Sequence, residues 1–191
     1  MTVILTDCDG VLLNWEYAFN IWIERKGFKR VEGHEFIYDI GERYGMDKGS
    51  MKGLVKDFNE SAMIGFLPPL RDAVEYVQKL HREHGYVFHV ITSLSLDTSA
   101  CRLRTQNLQK LFGETVFADF IYLDTGADKD EALSMYYGKD YYWIEDKPAN
   151  ALSGKRFGLQ SVLIEHDHNM NNKEFPVVKN WKQLYRMITG D

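Results

Sequence analysis

The chain has 191 residues, 45% hydrophobic and 27% charged, with a formal net charge of −5 at pH 7. That length can bury one sizeable core with a subdomain attached, and the acidic balance argues against a binder of polymeric nucleic acid, though not against a small phosphorylated ligand in a locally positive site. No apolar run approaches the roughly 18 residues of a membrane span, no basic leader with an apolar core is legible, and Cys8 and Cys101 alone make no disulfide framework; the expected setting is the cytoplasm, with no membrane partner.

The first apolar run, Val3-Ile4-Leu5-Thr6, reads as a short buried strand. It delivers Asp7 and Asp9, one residue apart, to a sharp turn that Gly10 permits. Residues 15–26 have helical spacing of Phe19, Trp22 and Ile23, with Gly27 as the stop. Residues 34–45 and 47–60 read as two further helices, with Asp47 capping the second. After Pro68-Pro69, the spacing of Val74, Val77 and Leu80 predicts an amphipathic helix ending near Gly85. Strands are then expected at 86–91, 120–123, 141–144 and 161–164. They alternate with helices over 96–112, 130–137, 149–157 and 181–188. Such alternation means an α/β fold, a Rossmann-like parallel sheet flanked by helices. Roughly 80 residues separate the first strand from the second, where a βαβ unit takes about 30. The surplus, 14–69, is expected to form a small helical cap inserted over the strand ends, with 1–13 and 70–191 as the core.

Polar chemistry recurs at the strand ends. Asp7 and Asp9 repel one another unless a cation or a shared proton intervenes; an ordinary acidic turn is the plain alternative. The second strand ends in Thr92-Ser93, whose hydroxyls and amides suit phosphate oxygens. Lys129 stands at the start of a helix, where an ammonium suits a dianion, although a solvated surface lysine is the commoner case. The fourth strand ends in Glu145-Asp146, ahead of Lys147-Pro148, where the proline can open a helix. Carboxylates at the ends of the first and fourth strands make an oxygen-ligand Mg²⁺ site. Ligands of open α/β sheets bind at such strand ends, near a topological switch point. Each signal alone has a bland reading; their succession carries the argument.

In this succession the chain resembles the haloacid dehalogenase-like (HAD) hydrolases. Their four motifs stand here as Asp7-Cys8-Asp9-Gly10-Val11, Thr92-Ser93, Lys129 and Glu145-Asp146. The likeness covers about residues 1–11 and 70–165, and the insertion stands where that family carries its C1 cap. Among capped members the chain is most similar to the 5′(3′)-deoxyribonucleotidases. Those continue from Asp-x-Asp-Gly-Val-Leu into Ala-Asp-Phe-Glu; here Trp15-Glu16 match in kind and Leu13-Asn14 depart. Asp128-Lys129 and Asp146-Lys147 also fit that branch. The resemblance implies a Mg²⁺-dependent phosphomonoester hydrolase. Asp7 would be the nucleophile, forming an aspartyl-phosphate, and Asp9 the general acid and then base. The metal would rest on Asp7, the Asp9 carbonyl and Asp146, with Glu145 either orienting a bound water or replacing Asp146 as ligand. Thr92, Ser93 and Lys129 would hold phosphate oxygens.

The expected partner is a small phosphorylated metabolite, with (deoxy)nucleoside monophosphates preferred. Trp15 is then the residue placed to stack on a base; its alternative role is to anchor the cap helix. A phosphotransferase or mutase using the same intermediate, and a catalytically silent phospho-ligand binder, are the competing readings, while an aspartate at position 9 disfavours dehalogenation. Three other features read as structural. His166-Asp167-His168 belongs to a solvated polar loop, His81 and His84 complement a helix dipole, and Cys8 is a small buried filler.

Overall fold

Alternation decides the sheet. In β1 (Thr2–Thr6), Ile4 and Leu5 are both fully buried yet join different apolar clusters, because successive side chains leave opposite faces of a strand. Val90 and Ile91 of β2 (Tyr86–Ser93) divide in the same way. With β3 (Phe117–Leu123), β4 (Tyr142–Glu145), β5 (Gln160–Ile164) and β6 (Val177–Val178), they form a parallel sheet of order β3-β2-β1-β4-β5-β6. The computed structural model describes residues 2–34, 37 and 39–190. The chain builds outward from β1 to β2 and β3, then returns to add β4, β5 and β6 on the other side. The topological switch point therefore lies between β1 and β4, whose register pairs Thr6 with Ile144.

Among the described residues, three α-helices lie between Asn14 and Pro68: α1 (Trp15–Arg25), α2 (Ile40–Arg43) and α3 (Lys48–Asn59), followed by a 3-10 turn at Ala62–Phe66. Asn14 and Asp47 cap α1 and α3 by accepting from Tyr17 N and Ser50 N. These helices share a small aromatic core. Trp15 stacks on Phe19 at 4.8 Å, and Phe58 meets Phe19 edge-on at 5.4 Å. The chain enters and leaves this segment through one doorway: Asn14 N donates to Pro68 O at 2.9 Å and Leu70 N to Leu12 O at 2.8 Å. Of the expected helix over 34–45, the described residues show Ile40–Arg43, capped by Asp39 and ended by Gly45 in the left-handed region at φ 64°. Glu35, Phe36 and Tyr38 lie outside the described residues.

The remaining helices cover the sheet. From α4 (Ala73–His84), α5 (Thr98–Phe112) and α8 (Trp181–Thr189), Val77, Leu80, Leu108, Phe112 and Trp181 pack with Ile4 and Val90 on one face. Between α5 and α8 in the chain come α6 (Asp130–Ser134) and α7 (Pro148–Arg156). Leu133 of α6 joins Leu5, Ile91 and Trp143 on the opposite face. The two-residue β6 is not foreseen in the sequence, and β3 begins three residues before the expected 120.

Candidate active site

Asp7 leaves β1 at the switch point and is tied to the neighbouring strand by its amide, which donates to Ile144 O at 2.9 Å. Its Oδ1 accepts from the Cys8 amide at 2.7 Å and lies 2.8 Å from Lys129 Nζ. Burial pushes the Asp7 carboxyl up to about 6; Lys129 opposes the rise, while Glu145 and Asp9 add to it. Gly10 makes the turn that follows, at φ 75°. A Cβ there would also come within 2.9 Å of Asp146 Oδ2, so the close approach of the two strand-end loops requires glycine.

At the end of β4 the two acidic residues have different surroundings. Glu145 is fully buried, and every lone pair of its carboxylate is engaged. Oε1 accepts from Lys129 Nζ at 2.7 Å and Asn150 Nδ2 at 2.6 Å, and Oε2 accepts from the amides of Asp146 and Lys147, both at 2.7 Å. Burial alone would raise the Glu145 carboxyl, but Lys129 and these hydrogen bonds outweigh it and hold it at about 2. Asp146, by contrast, keeps a buried Oδ1 with no hydrogen-bond partner. Burial first, then Glu145 and Asp7, drive its carboxyl well above the usual range. Asp7, Glu145 and Asp146 present carboxylate oxygens within 4.8 Å of one another. Lys129 pairs directly with Asp7 and Glu145, the Lys147 ammonium offsets Asp146 only in part, and the orphaned oxygen belongs to Asp146. This donor set fits a hard divalent cation, and the contact with it falls to Asp146, because Glu145 has no lone pair to offer.

Lys129 is almost completely buried, precedes α6 and lies over the Trp143 ring, 5.1 Å from its centroid. Its pairing with Asp7 and Glu145 raises its pKa against the opposing effect of burial, so it is a permanent cation. Thr92, at the end of β2, is buried at the floor of the same cleft. Ser93 also lines the cleft, but its hydroxyl donates to Ala127 O at 2.7 Å. That proton braces β2 against the loop ahead of Lys129, which leaves Thr92 as the hydroxyl for an oxyanion.

The cleft measures about 1310 Å³. One wall is the strand ends, with Asp7, Asp9, Thr92, Lys129, Asp146 and Lys147; the other is the helical segment, with Trp15, Asn20, Arg43, Met51 and Asn59. Trp15 is half-buried, one face covered by Phe19, and its Nε1 donates to Asn59 Oδ1 at 2.8 Å. It both anchors α1 and lines the cleft.

Two groups of residues here have no clear signal in the sequence. Arg104 of α5 is fully buried, and its Nη1 lies 2.5 Å from Asp9 Oδ1 and 2.9 Å from Cys8 Sγ. Burial pushes the Cys8 thiol up to about 12, so it is a neutral acceptor within a packed turn, consistent with a filler role. The second group corrects the reading of His166-Asp167-His168 as a solvated loop. These residues line the cleft: His166 Nε2 lies 2.7 Å from Gly10 O, and His168 Nε2 lies 2.8 Å from Asp146 O. Asn169 Nδ2 donates to that same carbonyl at 2.7 Å. The loop therefore buttresses the turn that carries Asp146. In a single sequence, paired histidines in a polar, asparagine-rich stretch carry no sign of this. His81 and His84 do sit in the last turn of α4.

No family model matches the chain. A 134-residue stretch is 27% identical to an uncharacterised 32.4 kDa protein of Enterobacteria phage T4; the match takes in 67% of this chain and 47% of that protein, so the chain spans about half the length of the relative it matches. Among solved structures, a haloacid dehalogenase-like family hydrolase of Streptococcus pneumoniae superposes with a TM-score of 0.67 over 98% of both chains at 15% identity. A Bacillus subtilis protein described as a HAD-hydrolase, bound to magnesium, gives 0.64 over 98% of both at 13% identity. These likenesses establish the fold: a Rossmann-like α/β sheet shared with HAD-type hydrolases. No helix among the described residues is long and apolar enough to cross a membrane.

Proposed function

We propose that this chain is a HAD-type phosphomonoester hydrolase that works through an aspartyl-phosphate on Asp7 and depends on Mg²⁺. The observation that carries the reading is the buried quartet of Asp7, Lys129, Glu145 and Asp146 at the switch point, with Asp146 Oδ1 lacking a partner. Asp7, the Asp9 carbonyl and Asp146 would hold the ion, which supplies charge neutralisation between an anionic nucleophile and an anionic phosphate. Lys129 and Thr92 bind the non-bridging oxygens. A carboxylate oxygen of Asp7 attacks phosphorus while the ester P–O bond breaks, and the proton on Asp9 passes to the departing oxygen. Asp9 then takes a proton from water, whose oxygen attacks phosphorus. The P–O bond to Asp7 breaks, releasing inorganic phosphate and restoring the carboxylate. Glu145 binds no substrate; it holds Lys129 and the Asp146 turn in place.

Residues 14–69 form a cap over this chemistry, and the preferred substrates are (deoxy)nucleoside monophosphates. The support is the Trp15 ring on the cleft wall beside the proposed phosphate site, in a space of about 1310 Å³ that is large enough for a nucleotide. The test is phosphate release from p-nitrophenyl phosphate and from a nucleotide panel. Activity should require Mg²⁺, vanish with EDTA, and fall at least about a thousandfold in Asp7→Asn, where nucleophilic catalysis is lost. Full turnover by Asp7→Asn would refute the covalent route.

A further inference from the structure

Arg104 has an environment that packing alone does not explain. It sits within α5, with no exposed surface, among apolar neighbours that include Ala100 and Leu108. Its Nε and Nη2 have no hydrogen-bond partner. A buried guanidinium with two unpartnered nitrogens, three N–H groups in all, is costly, and an apolar side chain of similar volume at such a place is often neutral or stabilising. What the residue does have is one short ion pair: Nη1 holds Asp9 Oδ1 at 2.5 Å, with the Cys8 sulfur as a second acceptor at 2.9 Å. Asp9 itself is the least buried partner of the pair; a quarter of its side-chain surface remains accessible, and it lines the cleft. The guanidinium thus grips one carboxylate oxygen from beneath, and the rest of the carboxylate faces the cleft.

We propose that Arg104 is the positioning residue for Asp9, fixing the carboxyl so that its second oxygen meets the bridging oxygen of the scissile ester. The inference rests on the phosphatase reading above. It makes a prediction that a purely structural role does not. The value of kcat/KM reports the steps up to cleavage of the ester bond, and only a basic leaving group needs the Asp9 proton there. Phenyl phosphate has such a leaving group; p-nitrophenyl phosphate departs as a stable anion.

Arg104→Met should lower kcat/KM on phenyl phosphate by about a hundredfold, the low end of what general acid catalysis contributes, and change it on p-nitrophenyl phosphate by no more than about threefold. Arg104→Lys, which keeps a cation under Asp9, should recover about a tenth or more of the lost rate. On an Asp9→Asn background, Arg104→Met should cost nothing further on phenyl phosphate, because the group it positions is already gone. Equal losses on the two esters, or a further loss on the Asp9→Asn background, would overturn the proposal, and either arm suffices should Arg104→Met fail to fold, since Arg104→Lys can be read in the same cycle. A wild-type protein inert toward both esters would instead remove the phosphatase reading itself.

Discussion

Lys129 and Lys147 stand among three carboxyls, and only Lys129 pairs with them directly. One ammonium lies within 2.8 Å of both Asp7 and Glu145, and Asp146 adds a third carboxyl beside them. Without a cation, the structure answers by keeping protons: the Asp7 carboxyl is raised to about 6 and Asp146 is raised as well, while Glu145 stays ionised down to about 2. The linkage follows. A carboxyl with a raised native pKa favours the folded state as pH falls through that value, whereas the contribution of Glu145 is complete above its ordinary 4.5 and lost only toward 2. Through these acids metal-free protein should gain stability as pH falls from about 7.5 to about 5, opposed in the same window by His89 and His166, which burial holds below the ordinary imidazole range. Mg²⁺ should raise the melting temperature most at the higher pH, and Asp146→Asn should abolish that increment; calorimetry at the two pH values checks all three. Trp15 poses a different question, because its stack on Phe19 and its bond to Asn59 make it structural whatever else it does. Trp15→Ala should lower the melting temperature in either case. Base stacking predicts in addition that nucleotide kcat/KM falls about tenfold or more relative to p-nitrophenyl phosphate, the equivalent of the 1–3 kcal/mol that a stacked base is worth.

At the scale of elements, α3 reaches the core through its C-terminal end. Asn59 is buried and spans two elements: its Oδ1 accepts from Trp15 Nε1 and its Nδ2 donates to Leu94 O at 2.9 Å. Glu60 adds a hydrogen bond from Ser95 Oγ at 2.7 Å. Asn59→Leu removes both hydrogen bonds, leaving the Trp15 indole N–H without its acceptor although Leu94 O still accepts from Thr125 Oγ1 at 2.7 Å. It should destabilise the fold by about 2–4 kcal/mol, measured by urea denaturation, and increase hydrogen exchange in α1 before any in β1. None of this was legible in advance, although the helix was. Periodicity located α1, α3 and α5 within a residue or two and α4 within three, and the strand ends carrying Asp7, Thr92 and Asp146 followed from apolar runs of four or more residues, with Lys129 on the loop between β3 and α6. It failed where no period exists: α2 has four residues and β6 has two, too few to show a repeat, and both are held by their surroundings. The same limit explains the site. Residues that act from the ends of strands announced themselves, whereas Arg104 and His168 reach it from α5 and a late loop across separations of 95 and 22 residues, which only the fold supplies.

Taken whole, the molecule sets the strand ends that carry Asp7, Thr92 and Asp146 on one side of a cleft and the helices between Asn14 and Pro68 on the other. The two share little backbone, since the chain crosses between them only at Leu12–Asn14 and at 67–70, which are hydrogen-bonded to each other. Joining Leu13 to Pro69 through a short glycine linker, with Leu103→Gln to make polar the side chain that would meet a Cβ at Gly65 in the intact protein, should leave a folded core. Its circular dichroism should retain the strand signal, and it should still hydrolyse p-nitrophenyl phosphate while losing preference among nucleotides. That doorway has a consequence for how such a protein diversifies. Because entry and exit are neighbours, a genetic change that lengthens, trims or replaces everything between them leaves each strand with the same partners. On the proposed phosphatase reading, the strand-end chemistry and the substrate preference are then free to change independently of one another.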